Sequence, residues 1–348
     1  MKSYLYKEKE IKGIDGLRAL AILMVIMAHL VDVNSGSLSN FFVEALDLGK
    51  EGVTLFFSIS GFIISFLLIK EKQKSGTISF NNFITRRTLK IIPVLYIFLI
   101  FLVALNMFGM VHISPDNFLS SFFFYRNYSN SAYSSFTGHI WSLAVEEHFY
   151  LFWPLVIFLL DDKKLKWFIW FVILISPILR IVTFLKFPEA RARQDIMTHC
   201  RLDGFMFGAL LAREYYTDQL SRFTSYFRSP KLWLFILGIL YFCVLPTLKY
   251  HSFKGYWLVI GLGLNAIIST LILGLTIIQK EGLSYDFLNS KILRHIGIIS
   301  YSLYVWQEFA IYYISNIPIA LISSYVLGLS SFVLVEQSFE KIKKSLVR

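Results

Sequence analysis

Arg18 and His29 stand eleven residues apart inside an otherwise apolar run, GIDGLRALAILMVIMAHLVDV. At about 100° per residue, eleven helical steps return to nearly the same face, so both side chains fall on one stripe roughly 16 Å apart along the axis. An arginine and a histidine in an apolar helix are costly to leave against hydrocarbon and belong in the protein interior or a wet cavity. One is a fixed cation and the other can accept a proton. Together they describe a reaction centre that handles an anionic ligand. The alternative is an arginine reaching for the membrane boundary and a histidine packed on a neighbouring helix. Asp15, three residues before Arg18, can pair with it on the same face.

Four further groups carry chemical potential. Arg86-Arg87-Thr88-Leu89-Lys90 precedes Ile91-Ile92-Pro93. Arg86 and Lys90 share a face, and such a cluster binds phosphate or simply anchors a helix at a membrane surface. In HIWSLAVEEHFYLFWP, two carboxylates, Glu146 and Glu147, enter an apolar helix. His139 lies seven residues before Glu146, with Ser142 between them, so Glu146 could orient a histidine, bind a hydroxyl-rich ligand, or pair with an arginine such as Arg201. Arg201 and Asp203, in RLDG, are two residues apart and therefore point to different partners. Ser58-Ile59-Ser60-Gly61 permits close helix packing or a close ligand approach.

The elements that must hold these groups are membrane helices. The 348 residues are 56% hydrophobic and 17% aromatic but only 16% charged, with a mean hydropathy of +0.59. A soluble domain is about 25% charged. The apolar residues come in long blocks, which predicts an all-α polytopic fold of about ten spans: 14–33, 50–69, 91–111, 140–160, 167–185, 201–215, 231–248, 256–278, 295–315 and 317–338. The sixth is the shortest and most polar. Alternate connections, starting with the N-terminus, carry 24 lysines and arginines, and the opposite set carries 8. That bias predicts both termini in the cytoplasm. The Ser/Asn/Tyr-rich 112–140 connection then faces outward and is long enough to be functional.

The lysines before Ile14 resemble a signal peptide, but Arg18 and His29 interrupt the apolar run and no small-residue cleavage site follows Leu30, so the segment is expected to stay as the first helix. Cys200 and Cys243 have no CxxC spacing, so neither a disulfide framework nor a metal site is expected. The net charge of +11 is spread over connections rather than gathered in a basic domain, which argues against nucleic acid as a partner.

Taken in order, GLRALAILMVIMAHL, GVTLFFSISGFIIS, FITRRTLKIIPVLY, HIWSLAVEEHFYLFWPL, RLDGFMFGALLA and IGIISYSLYVWQ resemble the acyltransferase-3 family of integral-membrane acyltransferases. Each motif is weak alone, and the ordered set is specific. The resemblance implies ten helices in a cell (inner or plasma) membrane. It also implies transfer of an acyl group, commonly acetyl from acetyl-CoA, to a hydroxyl of an envelope glycan or glycolipid. By position, Arg18 and His29 match the family's essential pair, with His29 catalytic. Arg86, Arg87 and Lys90 match its basic motif, usually RRxxR; Lys90 keeps the charge and loses the bidentate fork. Some relatives carry an appended esterase-like domain; here a single transmembrane domain over 1–348 is expected.

The expected reaction is therefore O-acyl transfer. Acyl-CoA is the donor substrate, held at Arg86, Arg87 and Lys90, and there is no permanently bound cofactor. His29 is the base, Arg18 holds the donor or stabilises developing charge, and Glu146 orients His29 or the sugar. His139, Ser142, Arg201 and Asp203 bind the acceptor or support the site. The rival readings are a transporter of a polar solute or lipid-linked sugar, in which the same charges relay protons, and a transferase acting on a small cytoplasmic hydroxylated molecule. No inverted repeat or matched pair of broken helices favours transport.

Overall fold

A computed structural model describes residues 11–33, 48–131, 134–217, 229–245 and 257–346. The described chain is helical: α1 (Ile14–Val33), α2 (Gly49–Ser75), α3 (Phe80–Met107), α4 (Pro115–Phe122), α5 (Ile140–Leu159), α6 (Asp162–Lys186), α7 (Thr198–Tyr216), α8 (Pro230–Ile239), α9 (Leu262–Ile278), α10 (Leu283–Leu288), α11 (Lys291–Ile298), α12 (Ser300–Tyr313), α13 (Ile317–Ser331) and α14 (Gln337–Leu346). Wide turns continue α8 through Leu240–Val244, open α9 at Trp257–Gly261 and join α13 to α14 at Phe332–Glu336.

Among the described residues seven helices are long and apolar enough to cross a membrane: Ile14–Val33, Gly49–Ser75, Phe80–Met107, Ile140–Leu159, Asp162–Lys186, Leu258–Ile278 and Ile317–Leu346. This is an integral membrane protein. The other three expected spans are helical but short or polar. The sixth becomes α7, whose Arg201, Asp203 and Arg213 are buried inside the bundle rather than presented to lipid. The seventh begins as the ten-residue α8.

Two boundaries differ from expectation. The third span begins at Phe80, not 91, and runs through Pro93, so the basic motif lies within the helix rather than at its mouth. Its polar first turns are held by α2: Glu71 accepts from the Ser79 N–H (2.8 Å) and from Arg86 (3.4 Å). The expected 295–315 helix is two helices, broken between Ile298 and Ser300. Ser290 caps α11, with its side chain accepting from Leu293 N–H. The 112–140 connection also has structure of its own: α4 starts with the Ser114 side-chain cap and Pro115 in its first turn.

A close seam joins α2 to α7. A Cβ on Gly61 would lie 2.2 Å from the Phe205 carbonyl oxygen, and one on Gly208 would lie 2.2 Å from that of Ser58. Neither position has room for a side chain, so the two backbones meet directly, the arrangement that small residues permit between membrane helices. Around this seam Phe57, Phe205 and Phe149 stack in series, with neighbouring centroids 4.5 Å apart.

Candidate active site

α1 carries the Arg18–His29 stripe along the interior, and the two residues lie in different polar centres. At the His29 end, α12 supplies the partners. His29 Nδ1 donates to Gln307 Oε1 at 2.9 Å, and its Nε2 lies 3.6 Å from Glu308 Oε1. The imidazole is 20% exposed while the Glu308 carboxylate is 1% exposed. Glu308 Oε2 accepts from His139 twice, from the ring Nδ1 and from the backbone N–H at 3.2 Å. His139 Nε2 donates to the Val305 carbonyl at 3.2 Å. Ser142 and Tyr304 hydroxyls are 2.5 Å apart, and Tyr304 also donates to the His139 carbonyl at 2.8 Å. Glu308 Oε1 and Gln307 Nε2 have no hydrogen-bond partner among the described residues. The result is a histidine with one nitrogen fixed by an amide oxygen and the other facing a buried carboxylate oxygen still able to accept.

The Arg18 end is a field of mixed charge. Arg18, Arg87 and Lys90 act electrostatically on Glu146, and Arg18 and Lys90 act on Glu336. Glu146 Oε1 accepts from Ser60 at 2.8 Å, and Glu336 Oε2 accepts from Ser302 at 2.9 Å. Arg87 lies over the Phe83 and Tyr150 rings, at 5.7 and 5.4 Å from their centroids. Each cation of the basic motif thus has an internal anion or aromatic face as neighbour.

The expectation that Glu146 orients His29 is corrected here. The carboxylate beside His29 is Glu308, and Glu146 bonds Ser60 instead. Glu146 lies seven residues from His139 along the helical direction of α5, about 10 Å lower. Ser142 and His139 do belong to the His29 centre. Arg201 and Asp203 take different partners, as their spacing requires. Asp203 pairs with Arg180, which also donates to the carbonyls of Cys200 (2.8 Å) and Val259 (3.1 Å). Arg201 is buried between the rings of Phe57 and Trp141, 5.5 and 5.4 Å from the centroids, and donates to the Lys50 carbonyl at 3.4 Å. Cys200 is buried with a free thiol; the Cys243 side chain lies outside the described residues.

Comparison with known proteins fits this arrangement to a family. The model described as "Acyltransferase domain", Acyl_transf_3, matches residues 11–337, and so takes in both polar centres. The chain belongs to the acyltransferase-3 family. O-acetyltransferase OatA of Staphylococcus aureus is 30% identical over 328 residues, 90% of this chain and 52% of its own. Peptidoglycan O-acetyltransferase OatA of Listeria monocytogenes is 29% identical over 323 residues, 87% of this chain and 49% of its own. The chain thus spans about half the length of these relatives. No solved structure matches it.

In this acyltransferase-3 chain, Gln307 and Glu308 are the functional candidates that sequence reasoning passed over. They directly follow the tryptophan of the YSLYVWQ motif, inside an apolar run. A carboxylate there with no basic residue nearby in sequence is itself a signal, because intramembrane charge calls for a partner elsewhere in the fold. Its partners come from α1 and from the start of α5.

Proposed function

We propose that this chain is a membrane O-acyltransferase that moves an acyl group, acetyl in the first instance, from acyl-CoA to a hydroxyl of a cell-envelope glycan. The observation that carries this reading is His29 with Nδ1 fixed by Gln307 and Nε2 beside Glu308. Nδ1 donates, so Nε2 has the lone pair that a general base needs. The acceptor hydroxyl gives its proton to Nε2 while its oxygen attacks the thioester carbonyl. Glu308 stabilises the imidazolium so formed by its charge; unlike the carboxylate of hydrolytic triads it faces the nitrogen that takes the proton, and Gln307 holds the opposite one. The tetrahedral centre then collapses, the C–S bond breaks, and the leaving thiolate takes the proton from the imidazolium. The products are an O-acyl ester and free CoA.

The donor's phosphates would lie among Arg86, Arg87 and Lys90, with Arg18 holding the donor along α1 and Glu146 keeping that cationic wall ordered through Ser60. In this reading both termini and the Arg18 end face the cytoplasm, ten helices cross the inner or plasma membrane, and the His29 end faces the glycan. His139 and Ser142 support the base, and Arg201, buried between Phe57 and Trp141, supports the site from within the bundle. Peptidoglycan, named for the Listeria relative, is the first acceptor to test.

The test is mass spectrometry of envelope glycans from cells carrying the wild-type gene, the His29→Ala gene or none. Acetyl-sized additions should appear only with the wild type. Purified His29→Ala protein should keep its thermal unfolding temperature and lose about 100- to 10,000-fold in transfer rate, the range for a general base. Full turnover by a folded His29→Ala protein would remove the histidine from the mechanism.

A further inference from the structure

α5, α6 and α7 enclose a crevice of about 460 Å³, well inside the roughly 300–1,000 Å³ of ligand sites. Its walls are hydrocarbon: Phe149, Trp153 and Val156 from α5, Val172 from α6, and Leu202 and Met206 from α7. From His148, at the end nearer His29, to Val156 the crevice follows α5 for eight residues, about 12 Å parallel to the helix axes. Lipid chains run in that direction. One lip is Phe152, 63% exposed on the same outward side as Leu151 and Leu155, so the crevice opens sideways to whatever surrounds the bundle.

The crevice is closed toward the His29 end by Tyr128, His148, Thr198 and His199, which satisfy one another. Thr198 Oγ1 accepts from Asn127 Nδ2 at 2.7 Å and meets His148 Nδ1 at 2.7 Å. The Tyr128 hydroxyl meets His199 Nδ1 at 2.8 Å, and Thr183 meets His199 Nε2 at 2.9 Å. A polar ligand would find these groups already engaged, and water is a poor occupant of an apolar cavity. A hydrocarbon chain would regain the dispersion contacts that a void forfeits. Phe149, Trp153 and Met206 are each almost fully buried, so the crevice is set back from the bundle surface and grips more of a chain than a flat helix face does. Just beyond its polar cap, the 188–196 segment brings Arg191 and Arg193. Arg193 donates to the Ser129 carbonyl and to Asn130, next to Tyr128. Arg191 is exposed. The segment also carries Glu189 and Asp195, the latter paired with Lys50, so it is the two guanidinium groups, rather than the net charge, that complement a phosphate.

We propose that this crevice binds one acyl chain of a diacyl phospholipid drawn from the leaflet at the His29 end, with the lipid phosphate at Arg191 and Arg193. The site is distinct from the two polar centres and does not depend on acyl transfer.

The experiment is lipid extraction and mass spectrometry on protein purified in mild detergent, beside Val172→Trp, which fills the crevice, and Leu174→Trp, which adds the same ring at a site 65% exposed on the same helix. Wild type and Leu174→Trp should retain about one phospholipid per chain, and Val172→Trp at least about fivefold less, because the cavity is occupied by the indole. Leu202→Phe is the milder filling variant should Val172→Trp fail to fold. The wild-type protein is also placed in phosphatidylcholine nanodiscs containing phosphatidylglycerol with a nitroxide near its chain end. Its spectrum should show a motionally restricted component that Arg191→Ala/Arg193→Ala reduces. Equal phospholipid retention by the folded filled and control variants would overturn the proposal, as would a polyprenyl lipid found as the retained molecule. Neither readout measures transfer, so loss of the enzymatic reading would leave this result standing, and the reverse.

Discussion

Replacing Glu308 by glutamine isolates the charge of the carboxylate from its shape. The amide is nearly isosteric and can still accept from the His139 N–H, so packing against α12 is kept. What disappears is a negative charge 3.6 Å from His29 Nε2. Two unit charges about 4 Å apart interact by about 4 kcal/mol at an effective dielectric near 20, which sets the ceiling for the stabilisation of an imidazolium. His139 shares the same carboxylate and the imidazole is 20% exposed, so roughly half that ceiling should be realised. About 2 kcal/mol corresponds to a fall of roughly 30-fold in kcat. KM for either substrate should change by less than about twofold, because the lost interaction develops only as the proton moves. The assay is acetyl transfer by protein in nanodiscs, with thermal unfolding of the same samples. Glu308→Ala is the instructive contrast: it strands buried His139 and should cost about 3–5 kcal/mol of stability as well as activity. A folded Glu308→Gln protein with wild-type kcat would refute the reasoning and leave Glu308 as a structural partner of His139 alone.

Three other outcomes are expected. Arg86→Ala and Arg87→Ala should each raise KM for acyl-CoA by about tenfold, the worth of one charge-assisted contact, with little change for the acceptor; Lys90→Arg should be tolerated. Unchanged donor kinetics in both alanine variants would make the cluster a surface anchor. Asp203→Ala should lower stability by about 3–5 kcal/mol, seen as a reduced unfolding temperature, because Arg180 is buried with Asp203 as its carboxylate. In a cysteine-replaced background, an impermeant thiol reagent added outside intact cells should label a cysteine at Ser131 and spare one at Ser75; the opposite pattern would invert the topology.

The pair on α1 was legible because an arginine and a histidine stand out in an apolar run, and eleven residues fix their common face. Their partners were not legible, because partnership is a property of packing. Glu146 looked like the carboxylate for His29 on the strength of its own helix, yet α12 brings Glu308 there from 279 positions away in the chain. Hydropathy placed the start of the third span at Ile91, where the residues become apolar. The helix begins at Phe80, where Glu71 on α2 satisfies Ser79 and Arg86, a pairing that a hydropathy average does not register. The polarity of 201–215 made that span the weakest to read, and the same polarity is what the fold buries: Arg201 between two rings, Asp203 against Arg180, Arg213 against Asp162 and Glu214.

The glycine seam between α2 and α7 also has a mechanical meaning. Where two backbones touch, neither helix can lean closer to the other, and parting them would abandon contacts along a tightly packed stretch of the bundle. That pair is therefore a natural fulcrum. Ser60 and Phe57 ride on one side of it, and Arg201 and Asp203 on the other, so these groups should keep their spacing whatever passes through the protein. α12 stands apart from this fulcrum: the interruption at Ile299 separates it from α11, and it holds Gln307 and Glu308 beside His29.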